Sequence, residues 1–449
     1  MNKQELVPGY ARLVAAVAAL GGVLFGYDTG VMSGALLYIE RDFLLSPAAE
    51  GAVTSMLLVG AAVGALLGGR VADAFGRKRT LIGGGLVFVF GSLACALSNS
   101  VLQLGASRTL LGFAVGLVSI VVPMYISEMA PAQIRGQLVS LNTLMIVVGQ
   151  LLAFLTNSAL AHTGNWRLML GLAAVPGLIL AVGMLFMTDS PVWLRRRGLE
   201  EDARRIAARV GIPYTELVGG GTSAKELRAA ERLALREKWI RRAVVVAILV
   251  GITQQITGVN AIVYFAPKMM NMVGISTENA VYTSILIGAV SVVSCWVGMM
   301  LVDRIGRRRL LTIGLSGTSL SLVLLAVAYR FAEHDIRASW MVLLLMTAFI
   351  AFQQSAVSLT TWLLLSELVP AEARGLGMGI AGLGLWLANW AVAQGFLPMV
   401  NAVGGPVSFL LFAVLGVAAL VFVRVTVPET TGRDLADISA EMRRRTEGV

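Results

Sequence analysis

Twelve apolar runs, most of them at or beyond the roughly 20 residues that cross a bilayer as a helix, follow one another along nearly the whole 449-residue chain. A segment in lipid must satisfy its backbone polar groups internally, so runs of this length fold as helices rather than loops or open sheets. They fall at about 12–39, 52–71, 80–98, 101–128, 138–160 and 167–187, then at about 243–271, 278–302, 310–329, 340–367, 376–400 and 405–426. Only 14% of the residues are charged, against roughly 25% in an average soluble chain. A soluble enzyme, a secreted disulfide scaffold and a disordered chain are excluded. The expectation is an all-α membrane protein with twelve transmembrane helices.

A net charge of +10 would suggest a nucleic-acid partner in a soluble protein. Here the basic residues sort by side of the membrane. With both ends cytoplasmic, the outside loops hold Arg41, Arg167, Arg330 and Arg337, while Arg108 and Lys268 fall inside spans, leaving 30 of 36 Lys and Arg in the cytoplasm. No nucleic acid is needed. The first run contains Asp28 and is too long for a cleaved signal, so it is read as a retained helix in a multi-pass protein of the cell membrane. The one long polar stretch, 188–242, mixes Arg195, Arg196, Arg197, Arg204 and Arg205 with Glu200, Glu201, Asp202 and Glu231 at helical spacings. Short amphipathic linker helices are expected there. The organisation predicted is a six-helix bundle over 1–187, a cytoplasmic linker over 188–242, a second bundle over 243–428 and a cytoplasmic tail over 429–449. Cys95 and Cys295 lie in apolar runs and read as inert, His162 and His334 sit in outside loops, and no metal or cofactor is expected.

An internal repeat is visible. Asp73-Ala-Phe-Gly76-Arg77-Lys78 follows the second span and Asp303-Arg-Ile-Gly306-Arg307-Arg308 follows the eighth. Ser127-Glu128, Pro131 and Arg135-Gly136 follow the fourth span with the same internal spacing as Ser366-Glu367, Pro370 and Arg374-Gly375 after the tenth. Two duplicated halves typically hold a substrate between them near the bilayer midplane. Further marks are Gly26-Tyr27-Asp28, Gly69-Arg70, Arg108, Tyr125-Ile-Ser-Glu128, Gln254-Gln255-Ile-Thr-Gly-Val-Asn260 and Pro428-Glu429-Thr430. In these residues the whole chain resembles the major facilitator superfamily and, within it, the sugar porter family. The runs Leu141–Gln150 and Thr361–Leu368 resemble its bacterial myo-inositol-transporting branch. The resemblance implies a twelve-helix fold of two pseudo-symmetric bundles and transport of a small neutral sugar or cyclitol by alternating access, coupled to a proton. The chain departs from the family at Thr143 (usually Gln), Leu385 (usually an amide), Ser291 (usually Asn), Ser358-Leu359 before Trp362 (usually Gly-Pro), and Asp189-Ser190-Pro191-Val192, which replaces a motif normally ending in Arg.

Asp28 is a charge inside a span, which normally faces the interior with a partner. By helical rise it lies ~16 Å below the outer end of its helix and Arg108 ~11 Å below the outer start of the fourth, so the two can meet. Arg stays protonated, and only Asp28 can exchange a proton. Nearness to Arg108 favours the carboxylate, and burial away from it favours the acid, so a helix movement would make proton release depend on which side is open. A fixed ion pair in an uncoupled facilitator is the rival reading.

Gln254, Gln255 and Asn260 crowd seven residues of the seventh span, where amides both donate to and accept from a hydroxyl-rich ring; Gly258 can loosen the helix between them. Gln150 and Asn389 are further amide candidates. Trp362 and Trp386 can stack on a sugar, Tyr264 and Phe265 can close the site from outside, and Trp390 and Trp296 are read as packing. Interhelical hydrogen bonding is the alternative use of the amides. Arg77, Glu128 and Arg135, with Arg307, Glu367 and Arg374, form candidate cytoplasmic gating networks that bias the rocking equilibrium if their bonds exist only in the outward-facing state, with determination of topology by positive charge as the alternative use. No nucleotide loop, metal spacing or nucleophile appears, so the chain reads as a non-enzyme driven by gradients, monomeric in the bilayer. A sugar sensor that moves nothing is the remote alternative, and a multidrug antiporter would lack the amide cluster.

Overall fold

The computed structural model describes residues 9–131, 134–217, 224–332, 336–433 and 435–447. Among these it is all-helical, and twelve helices are long and apolar enough to span a membrane: Gly9–Phe43, Pro47–Phe75, Arg77–Ala96, Val101–Met129, Arg135–Leu160 and Trp166–Leu185, then Lys238–Met272, Thr277–Ile305, Arg307–Ala332, Ser339–Leu368, Arg374–Val403 and Gly405–Thr426. Each apolar run of the sequence is one of these helices, with ends that differ by at most five residues. Ser46 accepts from the Ala49 N–H with Pro47 in the first turn, and Ser100 and Ser276 cap the fourth and eighth helices in the same way.

The repeated Asp-x-x-Gly-Arg motif has a backbone cause. Gly76 and Gly306 are the single residues between the second and third and between the eighth and ninth helices, with φ of +93° and +98°. A side chain is strained there, so glycine is required at both.

The first six helices pack mainly on one another, as do the last six, and the halves meet along the second with the eleventh, the fifth with the eighth and the first with the seventh. Small residues set the spacing within a half. A Cβ on Gly112 would lie 1.9 Å from the Leu57 carbonyl oxygen, so the second and fourth helices touch backbone to backbone. Two spans are irregular at mid-length: the seventh is broken between Lys238–Ile256 and Val259–Met272, with Gly258 at φ +84°, and the tenth widens into a π-helical turn over Gln353–Ser358.

One face carries most of the Lys and Arg and is called the basic face below. The linker helices lie on it. In Glu200–Val210, Ala203, Ile206, Ala207 and Val210 are buried at helical spacing against an outward row of charges, and the Arg209 guanidinium lies 3.8 Å from the centre of the Tyr10 ring. Glu231, on Ala224–Ala234, accepts the Gly375 N–H at 2.8 Å and ties the linker to the eleventh helix. The last helix, Leu435–Glu447, packs on the seventh and tenth. His162 is in an exposed turn, His334 lies outside the described residues, and both cysteines are buried and unpaired.

Gly112→Val should lower the thermal stability of the purified protein, the overpacking penalty being about 1–3 kcal/mol or more. Gly69→Ala, where an added Cβ meets nothing within 4 Å, should leave it unchanged; a thermal melt of both variants checks this.

Candidate functional site

The fourth helix brings Arg108 to Asp28 of the first. Nη1 donates to Oδ1 at 3.2 Å and Nη2 to Oδ2 at 3.3 Å, a two-pronged pair whose side chains are 2% and 1% exposed. Removing one partner of such a pair leaves a bare charge in a low-dielectric interior and typically costs about 3–5 kcal/mol. In this structure the carboxylate is seated against Arg108.

The break in the seventh helix joins the predicted amides. The Thr257 hydroxyl donates to the Gln254 carbonyl at 2.8 Å, Gly258 turns the chain, and Asn260 Nδ2 donates to Gln255 Oε1 at 2.7 Å. In a straight helix residues five apart do not face each other, and the break brings these two together. The π-helical turn of the tenth helix seats Gln353 against the same break, its Nε2 donating to the Gln254 carbonyl and its Oε1 accepting from Thr257, both at 3.4 Å.

Buried polar atoms of these spans that lack partners include Gln150 Oε1, Gln254 Oε1, the Thr361 hydroxyl, Trp386 Nε1, Asn389 Oδ1 and Trp390 Nε1. They come from the fifth, seventh, tenth and eleventh helices, and thus from both halves. Trp386, Asn389 and Trp390 share one helix face by spacing, and Asn389 stands beside the Tyr264 hydroxyl. Trp386 packs edge-on against Phe25 of the first helix, ring centres 5.3 Å apart. Buried unpaired polar atoms each carry a penalty of about 1–3 kcal/mol, which a polar guest would remove.

The predicted residues divide. Gln255 and Asn260 bond each other, and Gln150 also donates to Thr29 at 3.3 Å. Trp362 is half-buried, and Phe265 stacks on Phe396 in the core. Trp296 is exposed on the outer surface. Trp390, read from sequence as packing alone, has an indole N–H without a partner. Thr361 and Gln353 were missed, although a pair of amides at 353 and 354 inside a span was a visible signal of the kind used for the seventh helix. Ser291 bonds its own Ile287 carbonyl and Leu385 is core, so neither replaces the absent amides.

At the basic face, Arg77 pairs with Asp73 at 3.0 Å and Glu128 at 2.8 Å, and Arg307 pairs with Asp303 at 2.9 Å and Glu367 at 3.4 Å. A carboxylate also caps each corner. Asp189 accepts from the backbone N–H of Arg77, and Glu429 from those of Arg307, Thr430 and Thr431. Burial alone would raise the Glu429 pKa, but hydrogen bonds from Thr431 and the Arg308 and Arg307 backbone outweigh it and hold the carboxyl below its usual range. That seat persists above the ordinary carboxylate range and is lost only as pH falls through the lowered value. One expectation needs correction. Arg135 reaches only the Ala130 carbonyl, 3.4 Å away, and no ion pair to Glu128 is seen; the Arg374 side chain lies outside the described residues. Each network lies within one half, and both are formed in a structure whose halves are bonded together at the opposite face (Ser55 Oγ to Gln394 Oε1, 2.9 Å).

Residues 14–442 match the family described as "Sugar (and other) transporter". The chain is 40% identical over 456 residues to the major myo-inositol transporter IolT of Bacillus subtilis, covering 99% of this chain and 96% of that one. Its fold matches the xylose transporter XylE from E. coli in a partially occluded inward-open conformation, with TM-score 0.80, 29% identity, and 95% and 100% of the two chains covered. It matches equally the proton:xylose symporter XylE bound to 6-bromo-6-deoxy-D-glucose, with TM-score 0.80, 28% identity, and 97% and 100% covered.

Arg108→Gln should destabilise the protein by about 3–5 kcal/mol, and Asp28→Asn/Arg108→Gln should recover most of that loss. A double-mutant cycle on thermal unfolding measures the coupling.

Proposed function

The chain belongs to the sugar transporter family, the sugar porters of the major facilitator superfamily, and on that premise we propose that it imports a small neutral polyol, a hexose, pentose or cyclitol such as myo-inositol, together with a proton. The observation that carries the reading is the set of buried, uncharged and unpartnered donors and acceptors contributed by both halves. A sugar hydroxyl donates and accepts at once, so such a guest satisfies Gln150 of the first half and Gln254, Thr361, Trp386 and Asn389 of the second without bringing a charge to desolvate. Similarity to a myo-inositol transporter supports a cyclitol, and similarity to a proton:xylose symporter supports coupling.

The basic face is cytoplasmic in this reading, with both termini there, in the plasma membrane of a monomeric carrier. Asp28 carries the proton. With the site open to the outside, the carboxyl stands apart from Arg108 and is protonated. When the halves rock, Arg108 returns, the carboxylate becomes the favoured form and the proton leaves inward. Substrate crosses with it because the ring is complete only when both halves contribute.

In proteoliposomes, an inward proton gradient should drive accumulation of labelled substrate, and Asp28→Asn should retain exchange but lose accumulation. Uptake indifferent to the gradient would make the protein a facilitator. Competition of labelled myo-inositol by glucose, galactose and xylose ranks the guests. Asn260→Ala should raise the KM roughly tenfold, the equivalent of one lost hydrogen bond of about 1.4 kcal/mol.

A further inference from the structure

The hydrogen bonds and ion pairs described between the two six-helix halves cluster at the face opposite the basic one. Lys268, on the seventh helix, pairs with Glu40 of the first and lies 3.3 Å from Glu50 Oε2 of the second. Two carboxylates of one half thus share one ammonium of the other. Glu50 is 2% exposed, which is a costly place for a carboxylate unless a cation accompanies it. Gln394 of the eleventh helix donates to the Ala48 carbonyl at 3.2 Å. A Cβ on Gly51 would come 2.6 Å from the Gln394 carbonyl oxygen, so the second and eleventh helices are closed tightly beside the cluster.

Other charges nearby are already engaged. Arg41 bonds Thr277, Asp42 holds Arg167 and the Trp166 indole, and Glu278 accepts from Tyr282. Asn271 bonds the Ile275 carbonyl, and Tyr38 bonds the Ala161 carbonyl. Lys268 is therefore the one cation of its half placed on Glu40 and Glu50 among the described residues.

The position of Lys268 along its helix connects the cluster to the substrate site. Asn260, Tyr264 and Lys268 are spaced four apart on Val259–Met272 and share one face, with Lys268 ~12 Å beyond Asn260. That segment begins at the Gly258 break, so it can tilt as a rod with the binding amide at one end and the lysine at the other.

We propose that Glu40, Lys268 and Glu50 form an electrostatic latch that holds the outer mouth shut, and that protons arriving from outside release it. Repulsion between the two acids acts within one half and is present whether the mouth is open or closed. Only their attractions to Lys268 act between halves, and protonating either acid removes one of them. Acid outside the cell then favours opening toward the side from which substrate and proton are drawn. The word "outer" rests on the orientation proposed above; the latch does not depend on Asp28.

The test uses the full chain in lipid nanodiscs, with Cys95 and Cys295 replaced by alanine and spin labels at Leu44→Cys and Met272→Cys, both exposed at this mouth. Distance distributions are read by electron paramagnetic resonance from about pH 8 to about pH 5, across the carboxylate range of a partly buried acid. Wild type should gain a longer-distance component as pH falls. Lys268→Met should raise that component roughly tenfold at the upper pH, equivalent to about 1.4 kcal/mol, and flatten the pH dependence. Lys268→Arg should keep the wild-type behaviour. If Lys268→Met does not fold, Glu40→Gln/Glu50→Gln should give the same open and pH-insensitive distribution. An unchanged distribution in folded variants overturns the proposal. So does loss of the pH response in Asp28→Asn, which would assign opening to the buried pair instead. Uptake that ignores a proton gradient would overturn symport and leave the latch standing.

Discussion

A bilayer offers no hydrogen bonds, so every polar atom that this chain takes into it must be satisfied from within the protein. Helices discharge that requirement for the backbone. For side chains the protein meets it unevenly. Asp28 and Arg108 answer each other almost completely, and Thr257, Gln353 and the Gln254 carbonyl close the gap opened by the broken seventh helix. Gln150 of the first half and Gln254, Thr361 and Asn389 of the second are left with unanswered polar atoms. An unanswered polar atom in lipid carries a penalty that a polar guest would remove.

The same requirement ties each half together. Backbone contact at Gly112 locks the second helix to the fourth, the Arg77 and Arg307 networks fasten the helix ends at the basic face, and Asp189 and Glu429 cap the corresponding corners. All these bonds are internal to one half. Across the surface between the halves Lys268 meets Glu40 and Glu50, Gln394 meets Ala48 and Ser55, and Phe25 meets Trp386.

Much of this was legible in the sequence because lipid makes hydrophobic runs unambiguous. All twelve spans and the pairing of Asp28 with Arg108 followed from run length, sidedness and helical rise. The duplicated corner motif was legible because only glycine suits the backbone at Gly76 and Gly306. Contacts produced by departures from the regular helix were not. Asn260 reaches Gln255 only because the helix breaks at Gly258, and Gln353 reaches that break only through a widened turn; a periodicity of 3.6 residues predicts neither. Arg135 fails to join its network for a related reason, since the spacing of a motif does not fix where a long side chain points.

A ring made of amides, indoles and hydroxyls has consequences for what the carrier must refuse. With Arg108 seated on Asp28, as in this structure, its described residues offer no unpaired cation. A phosphorylated sugar would have to shed its hydration shell with no counter-ion to replace it, a far larger penalty than a few hydroxyls incur. Solute that is esterified to phosphate after delivery would therefore be trapped on the side where it was modified, and the neutrality of the ring would act as a one-way valve for chemistry that happens elsewhere.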